Sequence, residues 1–322
     1  MKDFYLDEPT VVSFFIGELG WFLQRYQAYF RSLKLNKYPD HKFVFMMNKG
    51  LHIFVKDFAS YVIDLPNDFK NLQLDQDGYE AVLPGTPAGG LTPAGIYSNL
   101  IEYIRHFYNK DKAVEIWSPR SCSRIMDFKQ QLFARYGSDK HTFDRPVITV
   151  FPRARVRASN RNVPEYVWKE LVDQLVGNFL VVLAGTPDGS CLADYKDNRV
   201  QNMISYEGED RTEQILKYLN NSLLSISSQS GGTHISLLCG CPSYIIGHEK
   251  DRHTVYENRH NVPTSFRYVS DYRLIDAQTI INDIAGFLKE MEKYKLRNIS
   301  TEDFDSIIEE DKQKLKNIII GE

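Results

Sequence analysis

The sequence predicts an α/β protein built from two Rossmann-like halves that face a cleft. Apolar, β-branched runs alternate with amphipathic segments along most of the chain, which is the pattern of parallel strands joined by helices. The length of 322 residues exceeds that of a usual single domain. The alternation also restarts after the polar, turn-rich segment 137–146. These observations predict two domains with a short linker between them.

The first predicted domain covers residues 1–140. Its strands are expected at 11–16, 43–47, 61–65 and 113–117, and its helices at 21–33, 51–59, 96–109 and 125–136. Segment 67–93, which contains "LPGTPAGGLTPAG", reads as a long irregular loop. Loops of this length in compact domains are uncommon and often functional.

The second predicted domain covers residues 147–276, and residues 277–322 form C-terminal helices and a charged tail. Strands are expected at 147–151, 179–184, 223–228 and 243–246, and helices at 211–221, 234–239 and 277–295. Pro164 is expected at the first position of another helix, where its missing N–H costs nothing.

Composition excludes several classes of protein. A formal charge of −3 argues against a general nucleic-acid binder, which usually carries a basic face. The four cysteines lack zinc-site spacing, so no metal is expected. No signal peptide and no apolar run of about 20 residues is found, so we expect a cytoplasmic chain without a transmembrane segment. Peripheral membrane contact stays open.

The segment Ser228–His234 ("SQSGGTH") is the first candidate site. It stands where a predicted strand gives way to a helix, and backbone N–H groups and the helix dipole favour an anion there. Gly231 and Gly232 would let the backbone approach a ligand, while Ser228, Ser230 and Thr233 add hydroxyls. A tight turn with Thr233 as the N-cap would explain the same residues without a ligand. His234 alone is more typical of a packed or hydrogen-bonded residue.

The loop 151–165 ("FPRARVRASNRNVPE") is the second candidate site. It places four arginines within nine residues after a strand of the same predicted sheet. Arginine suits fork-like recognition of phosphate oxygens. The alternative is a solvated basic loop, but the two candidate sites together favour a diphosphate ligand.

Two further turns follow predicted strands. Glu18, in "SFFIGELGW", follows the first strand and would face the cleft, where a carboxylate could act as a general base. It could equally lie in the first turn of a helix for dipole reasons. The turn "GTPDG" at 185–189 offers Asp188, which could contact a ribose or end a turn. Neither a P-loop nor a Gly-x-Gly-x-x-Gly dinucleotide motif is present.

These residues resemble glycosyltransferases of the two-Rossmann-domain (GT-B) type, and most closely the heptosyltransferase-like group, which includes ADP-heptose:lipopolysaccharide transferases. Gly17-Glu18 stands where that group has Gly-Asp after the first strand. The loop 151–161 occupies the position of the group's donor-phosphate loop. Residues 229–234, followed by an apolar helix, a Gly and a Pro, are similar to the group's Asp-Ser/Thr-Gly-x-x-His signature. Gln229 replaces the acid of that signature.

The resemblance implies metal-independent, inverting transfer of a sugar from a nucleotide-diphosphate sugar to a glycan or glycoconjugate hydroxyl. Glu18 would be the catalytic base, and no cofactor is implied beyond the nucleotide-sugar co-substrate. Gly17, Gly20 and Trp21 would lie on the acceptor side, and the C-terminal helix would pack back across the domains. The implied donor-binding residues are Arg153, Arg155, Arg161, Gly185, Ser228, Gln229, Ser230, Gly231, Gly232, Thr233 and His234.

Two other functions stay open at this point. A nucleotide-sugar epimerase of the same double-Rossmann shape would use carboxylates and a histidine in the cleft, without an acceptor. A nucleotide- or phosphosugar-binding protein without catalysis would keep the anion site and dispense with Glu18. The identity of the base, and whether the transferred sugar is a hexose, pentose or heptose, is not determined by the sequence.

Overall fold

The computed structural model describes residues 4–17, 19–69, 73–74, 81–82, 93–117, 131–137, 141–156, 158–252, 255, 262, 264–270 and 275–295. The chain divides into two compact units, Met1–Arg273 and Leu274–Glu322. The domain boundaries expected from the sequence at 140 and 147 stay a prediction.

The first sheet has the strand order β3-β2-β1-β6, and all of its strands are parallel. The inner strand β1 is buried along its whole length, which explains why its sequence "TVVSFF" is apolar without strict alternation. The strands are β1 (Thr10–Phe15), β2 (Lys42–Met47), β3 (Tyr61–Asp64) and β6 (Ala113–Glu115), with a separate antiparallel pair formed by β4 (Gln73–Leu74) and β5 (Ala81–Val82).

The helical segment after β1 has three parts. It begins as α1 (Leu19–Trp21), widens into a π-helical turn at Phe22–Tyr26, and continues as α2 (Gln27–Asn36). The amide of Gln27 donates to the carbonyl of Phe22, five residues earlier, which defines the π turn. A later helix, α3, spans Pro93–Ile104, and 3-10 turns lie at Lys49–Phe54, Arg105–Phe107 and Lys110–Lys112.

The second sheet has six parallel strands in the order β12-β11-β10-β7-β8-β9. Its strands are β7 (Val147–Phe151), β8 (Leu180–Leu183), β9 (Val200–Asn202), β10 (Ser222–Ser228), β11 (Ser243–Ile246) and β12 (Phe266–Val269). The helices are α4 (Glu165–Leu175), α5 (Arg211–Asn221) and α6 (Gly231–Leu238). Short 3-10 turns lie at Ser159–Arg161, Pro187–Gly189 and Glu249–Asp251.

The second compact unit contributes helix α7 (Ala277–Lys295), with the bounds expected from the sequence. The expectation that this helix packs back across the domains stays a prediction. No helix in the described part of the chain is long and apolar enough to cross a membrane.

One expected helix is wrong, and a second is wrong over the part of it that the structure describes. The segment expected as a helix at 51–59 is a 3-10 turn, Lys49–Phe54. Of the helix expected at 125–136, only residues 131–136 are described, and they are not helical. Their backbone amides turn to other elements instead, since Leu132 donates to Ala28 and Tyr136 donates to Leu238.

The apolar core is continuous between the two sheets. One buried cluster contains Phe15 and Phe22 from the first half together with Phe151, Val182 and Leu238 from the second. In this cluster the two halves share one core, whereas a second cluster, with Val12, Phe14 and Ile104, lies within the first half.

A buried arginine ties the helical segment after β1 to the surrounding turns. Arg31 is 5% exposed, and its Nε and Nη2 donate to the Asp57 carboxylate at 2.7 and 3.0 Å. Nη2 also donates to the carbonyl of Phe54 at 2.9 Å and to the hydroxyl of Tyr136 at 3.0 Å. Nη1 donates to Gln27 Oε1. Burial lowers the pKa of Arg31, but the hydrogen bond and charge of Asp57 outweigh it, so the pKa is raised overall.

Candidate functional site

The carboxyl ends of the parallel strands define the candidate site. In an open α/β sheet, ligands bind outside this edge because strand-to-helix turns present backbone N–H groups there. In the second sheet, α6 begins after β10, the arginine loop follows β7, and the turn containing Gly185 follows β8. Because β10, β7 and β8 are neighbours in the sheet, these three predicted segments lie side by side.

The start of α6 is closed by a reciprocal cap. Ser230, and not Thr233, is the N-cap: its Oγ accepts from the amide of Gly232 at 3.3 Å. Thr233 Oγ1 accepts from the amide of Ser230 at 3.3 Å and donates to the carbonyl of Ser228 at 3.1 Å. The hydroxyl of Thr233 is thus committed to the protein. The amide of Gly231, the first of the helix, has no acceptor within the described ranges and is the group left for an anion.

Close packing accounts for both glycines at the start of α6. A methyl group added at Gly232 would lie 2.4 Å from Cδ1 of Phe151, and one added at Gly231 would lie 3.0 Å from Cδ2 of Leu19. The sequence suggested that these glycines admit a ligand. In the structure, the space of the missing side chains is filled by Phe151, at the end of β7, and by Leu19, from the turn after β1. The start of α6 therefore contacts both halves of the chain.

Replacing Gly232 with alanine is expected to lower the free energy of unfolding by about 1–3 kcal/mol, because the buried ring of Phe151 must shift. The matched control is Gly20→Ala, whose methyl group would lie 3.9 Å from Cδ2 of His234, an ordinary contact. Urea unfolding of the two variants beside the unchanged protein measures the difference. Equal midpoints for the two variants would contradict this account of Gly232.

The acceptor-side and donor-side residues predicted from the sequence come together here. Gly20 lies beside the amide of Gly231 and the ring of His234. His234 is 4% exposed, and its Nδ1 lies 3.3 Å from Nε2 of Gln24, in the π-helical turn. Its Nε2 also contacts the same amide. Glu18 lies outside the described residues.

The other acceptor-side predictions have packing roles in the structure. Trp21 is half-buried and packs against the shared core. Gly17 accommodates the ring of Phe15, which would lie 2.8 Å from an added methyl group.

The side chain of Gln229 points toward β11 and β12, on the side of β10 that is away from the arginine loop. Its side chain is buried, and the hydroxyl of Tyr268 lies 2.8 Å from Gln229 Oε1 and 2.9 Å from the carbonyl of His248. A methyl group at Gly247 would lie 2.1 Å from that hydroxyl. Beside it, Ser228 Oγ is fully buried and has no hydrogen-bond partner among the described residues. Gln229 therefore packs among residues at the carboxyl ends of β11 and β12.

The arginine loop is organised by Asn162, a residue that the sequence analysis missed. Asn162 Oδ1 accepts from the Arg153 guanidinium and from the amide of Arg155 at 3.1 Å, and its Nδ2 donates to the carbonyl of Arg155 at 2.8 Å. Arg153 is buried, with Asn162 as an internal partner, whereas Arg155 and Arg161 are half-exposed. Of the three predicted phosphate ligands, Arg155 and Arg161 are the ones presented at the surface.

A cavity of about 550 Å³ lies at the carboxyl ends of β8 and β9. Its lining residues are Pro187, Ala193, Ser205, Tyr206, Glu207, Gly208 and Arg211. The size falls in the range of small-molecule sites. Pro187 belongs to the turn at 185–189 that the sequence indicated. The lining residues after β9 were missed because this short strand carries little apolar signal.

Arg211 shapes the cavity from the first position of α5. Its guanidinium donates to the carbonyls of Gly185 and Ile204, at 3.0 Å for Ile204, and so joins the turns after β8 and β9. Gly185 has a φ of +147°, and a side chain there would collide with Ser190, so glycine is required. Burial lowers the pKa of Arg211 below its usual value.

The first sheet also carries a carboxylate at its carboxyl edge, Glu115 at the end of β6. Its oxygens accept from Arg105 at 2.9 and 3.1 Å, from the Tyr108 hydroxyl at 2.7 Å and from Trp117 Nε1 at 2.9 Å. Burial raises the pKa of Glu115, but these hydrogen bonds outweigh it and hold the pKa at about 2. A carboxylate with this many partners is a structural group and a poor proton acceptor.

No three side chains of His, Cys, Asp or Glu come together as metal ligands in the part of the chain that the structure describes.

Comparison by sequence finds no matching family model and no matching curated protein. Comparison of structures does find similar chains. A glycosyl transferase family 9 protein from Veillonella parvula DSM 2008 is 10% identical, with 90% of this chain and 100% of that chain covered and a TM-score of 0.55. The dodecameric iron-containing heptosyltransferase TibC, in complex with ADP-D-β-D-heptose, is 13% identical, with 90% and 80% covered and a TM-score of 0.50.

The E. coli heptosyltransferase WaaC with ADP is 12% identical, with 86% of this chain and 99% of that chain covered, at a TM-score of 0.49. The similarity to the family 9 protein and to TibC shows the fold. The chain has the α/β architecture of two Rossmann-like halves that is called the GT-B fold. Its fold is similar to that of heptosyltransferase-like proteins.

Proposed function

We propose that this protein is a glycosyltransferase that moves a sugar from a nucleotide-diphosphate sugar to an acceptor hydroxyl, without a metal and with inversion at the anomeric carbon. The observation that carries the proposal is the order of groups along one sheet edge. The start of α6, the arginine loop, the Gly185 turn and the cavity follow the neighbouring strands β10, β7, β8 and β9. Four neighbouring strands span about 14 Å at a spacing of about 4.8 Å. An extended nucleoside diphosphate can cover such a row.

Each part of that row suits one part of the donor molecule. The amide of Gly231 and the guanidinium groups of Arg155 and Arg161 would hold the diphosphate. The nucleoside would occupy the cavity, where Tyr206 can stack on a base and Glu207 can accept from ribose hydroxyls. TibC, whose fold is similar, was solved with ADP-D-β-D-heptose, which supports a donor of this kind.

The chemical step would be a single displacement. Glu18 would take the proton of the acceptor hydroxyl as its oxygen forms a bond to the anomeric carbon. The bond from that carbon to the diphosphate oxygen breaks, and the electron pair leaves with the nucleoside diphosphate. The arginines and the helix start would stabilise the charge on this leaving group, which is the work that a metal does elsewhere. Attack opposite the leaving group inverts the anomeric configuration.

The test of this function is a thermal-shift screen against UDP-, GDP-, ADP- and CMP-sugars. A ligand that binds only the native state adds about 2.7 kcal/mol of stability at 100 times its dissociation constant. We expect one nucleotide sugar to raise the melting temperature of the unchanged protein. The control is Lys169→Ala, which removes an exposed ion pair with Asp173 on α4 and should show the same shift. The shift should shrink in Arg155→Ala. No response to any nucleotide sugar would overturn the donor assignment.

The nucleotide sugar that binds in this screen is then used as the donor in an activity assay. Nucleoside diphosphate should be released together with a new acceptor glycoside, and the rate of release should depend on the acceptor. Release of the nucleotide with an epimerised sugar and no acceptor would assign an epimerase instead. Binding without any turnover across glycan and glycoconjugate acceptors would assign a binding protein.

A further inference from the structure

We propose that Gln24 is a positioning residue of this transferase, which acts by holding the ring of His234 and thereby fixing the start of α6 against the turn after β1. The inference rests on the proposed function and deepens it. Gln24 belongs to the half that would carry the base, and His234 belongs to the helix that would hold the leaving group. Their hydrogen bond joins positions 210 residues apart.

The geometry around His234 makes it a connector between the halves. The buried ring of His234 lies one helical turn after Gly231, and residues three positions apart on a helix lie on the same face. On that face the ring meets Gln24 Nε2 at 3.3 Å, while the side chain of Leu19 packs on Gly231. A shift of the ring would therefore also shift the first amide of α6 relative to the turn after β1.

The backbone at Gln24 is held in an unusual conformation. The π-helical turn Phe22–Tyr26 widens the helix by one residue, and such turns frequently occur at functional sites. Phe22, Leu23 and Tyr26 are buried, and the rings of Phe22 and Tyr26 stack at 5.5 Å. These side chains anchor the turn in the core and leave Gln24 half-buried on the side of His234.

Gln24 should therefore affect how the base is oriented toward the bound donor, and it should not affect the affinity for the donor. The groups proposed to hold the donor all belong to the second half of the chain. Loss of the Gln24 hydrogen bond would leave them in place, but the distance from the base to the anomeric carbon would no longer be fixed. A misplacement of about 1 Å can cost about 100-fold in rate.

The experiment compares Gln24→Ala and Gln24→Glu with the unchanged protein. Gln24→Ala should lower kcat by about 10- to 100-fold and leave the calorimetric Kd of the donor within about twofold. Gln24→Glu keeps the side-chain length but replaces the donating amide nitrogen with an acceptor. The bond can then form only with the imidazole as donor, so this variant should recover part of kcat together with a changed tautomer of His234. Gln278→Ala, which removes an exposed glutamine on α7, is the control and should match the unchanged protein.

A second readout does not need activity. Nitrogen-15 labelling of the histidines reports the tautomer of His234, and Gln24→Ala should change that signal whereas Gln278→Ala should not. An unchanged kcat or an unchanged His234 signal in Gln24→Ala would overturn the proposal. The proposal would also be overturned if both Gln24 variants melt at so low a temperature that unfolding under the assay conditions explains their lower rate. If no nucleotide sugar is turned over by the unchanged protein, the proposed function fails, and the labelling experiment still decides the role of Gln24.

Discussion

Glu18→Gln is expected to reduce kcat of glycosyl transfer by about 10²–10⁴-fold, because the amide cannot take the proton of the acceptor hydroxyl. The Kd of the donor should change little, since the groups proposed to bind it lie in the second half of the chain. Steady-state kinetics with calorimetric donor binding separates the two quantities.

The chain offers a matched control for this substitution. Glu8 is exposed and lies at the amino end of β1, the opposite edge of the same sheet. Glu8→Gln makes the same chemical change and should leave kcat unaltered. Full turnover in Glu18→Gln would remove the base from the mechanism. A loss of donor affinity in that variant would move Glu18 to the donor site.

Arg31→Met is expected to lower the free energy of unfolding by about 3 kcal/mol, the largest effect on stability that the structure predicts. The change leaves Gln27 Oε1 and the Phe54 carbonyl with fewer donors inside the protein and separates Asp57 from its partner. Asp57 is 44% exposed, so water compensates part of that loss and the estimate stays at the lower end for a broken buried pair.

Denaturant unfolding of Arg31→Met and Arg199→Ala measures this difference. Arg199 pairs with Asp197 through two hydrogen bonds at the surface, so its removal should cost less than about 1 kcal/mol. Similar losses for the two variants would show that the Arg31 network contributes no more than a surface pair.

The architecture was predictable where the strands are central. The strands at β7 and β11 and helices α5 and α7 have the expected bounds, because burial on both faces or on one stripe leaves a strong apolar pattern. The edge strands β9 and β12 were missed. Their residues are only half-buried, so their sequences carry little of that pattern.

The site was predictable only in its local parts. Strand-end turns with glycine and arginine can be read from one segment at a time, and three of them prove to be neighbours. The contacts of Leu19 with Gly231 and of Gln24 with His234 join segments about 210 residues apart, and no local spacing encodes them. The same holds for Asn162: its role depends on the fold of the arginine loop and is not visible in composition.

The continuous core between the sheets has a consequence for how such a protein can change its substrates. Phe151, which packs at the start of α6, and Leu238, at the end of that helix, share one buried cluster with Phe15 and Phe22 of the other half. A donor half exchanged for that of a relative would bring side chains of other shapes to this cluster, and mismatched cores cost stability. New specificity should therefore arise by substitutions in the strand-end loops, and a chimaera joined within 137–146 should need compensating changes across the cluster before it folds.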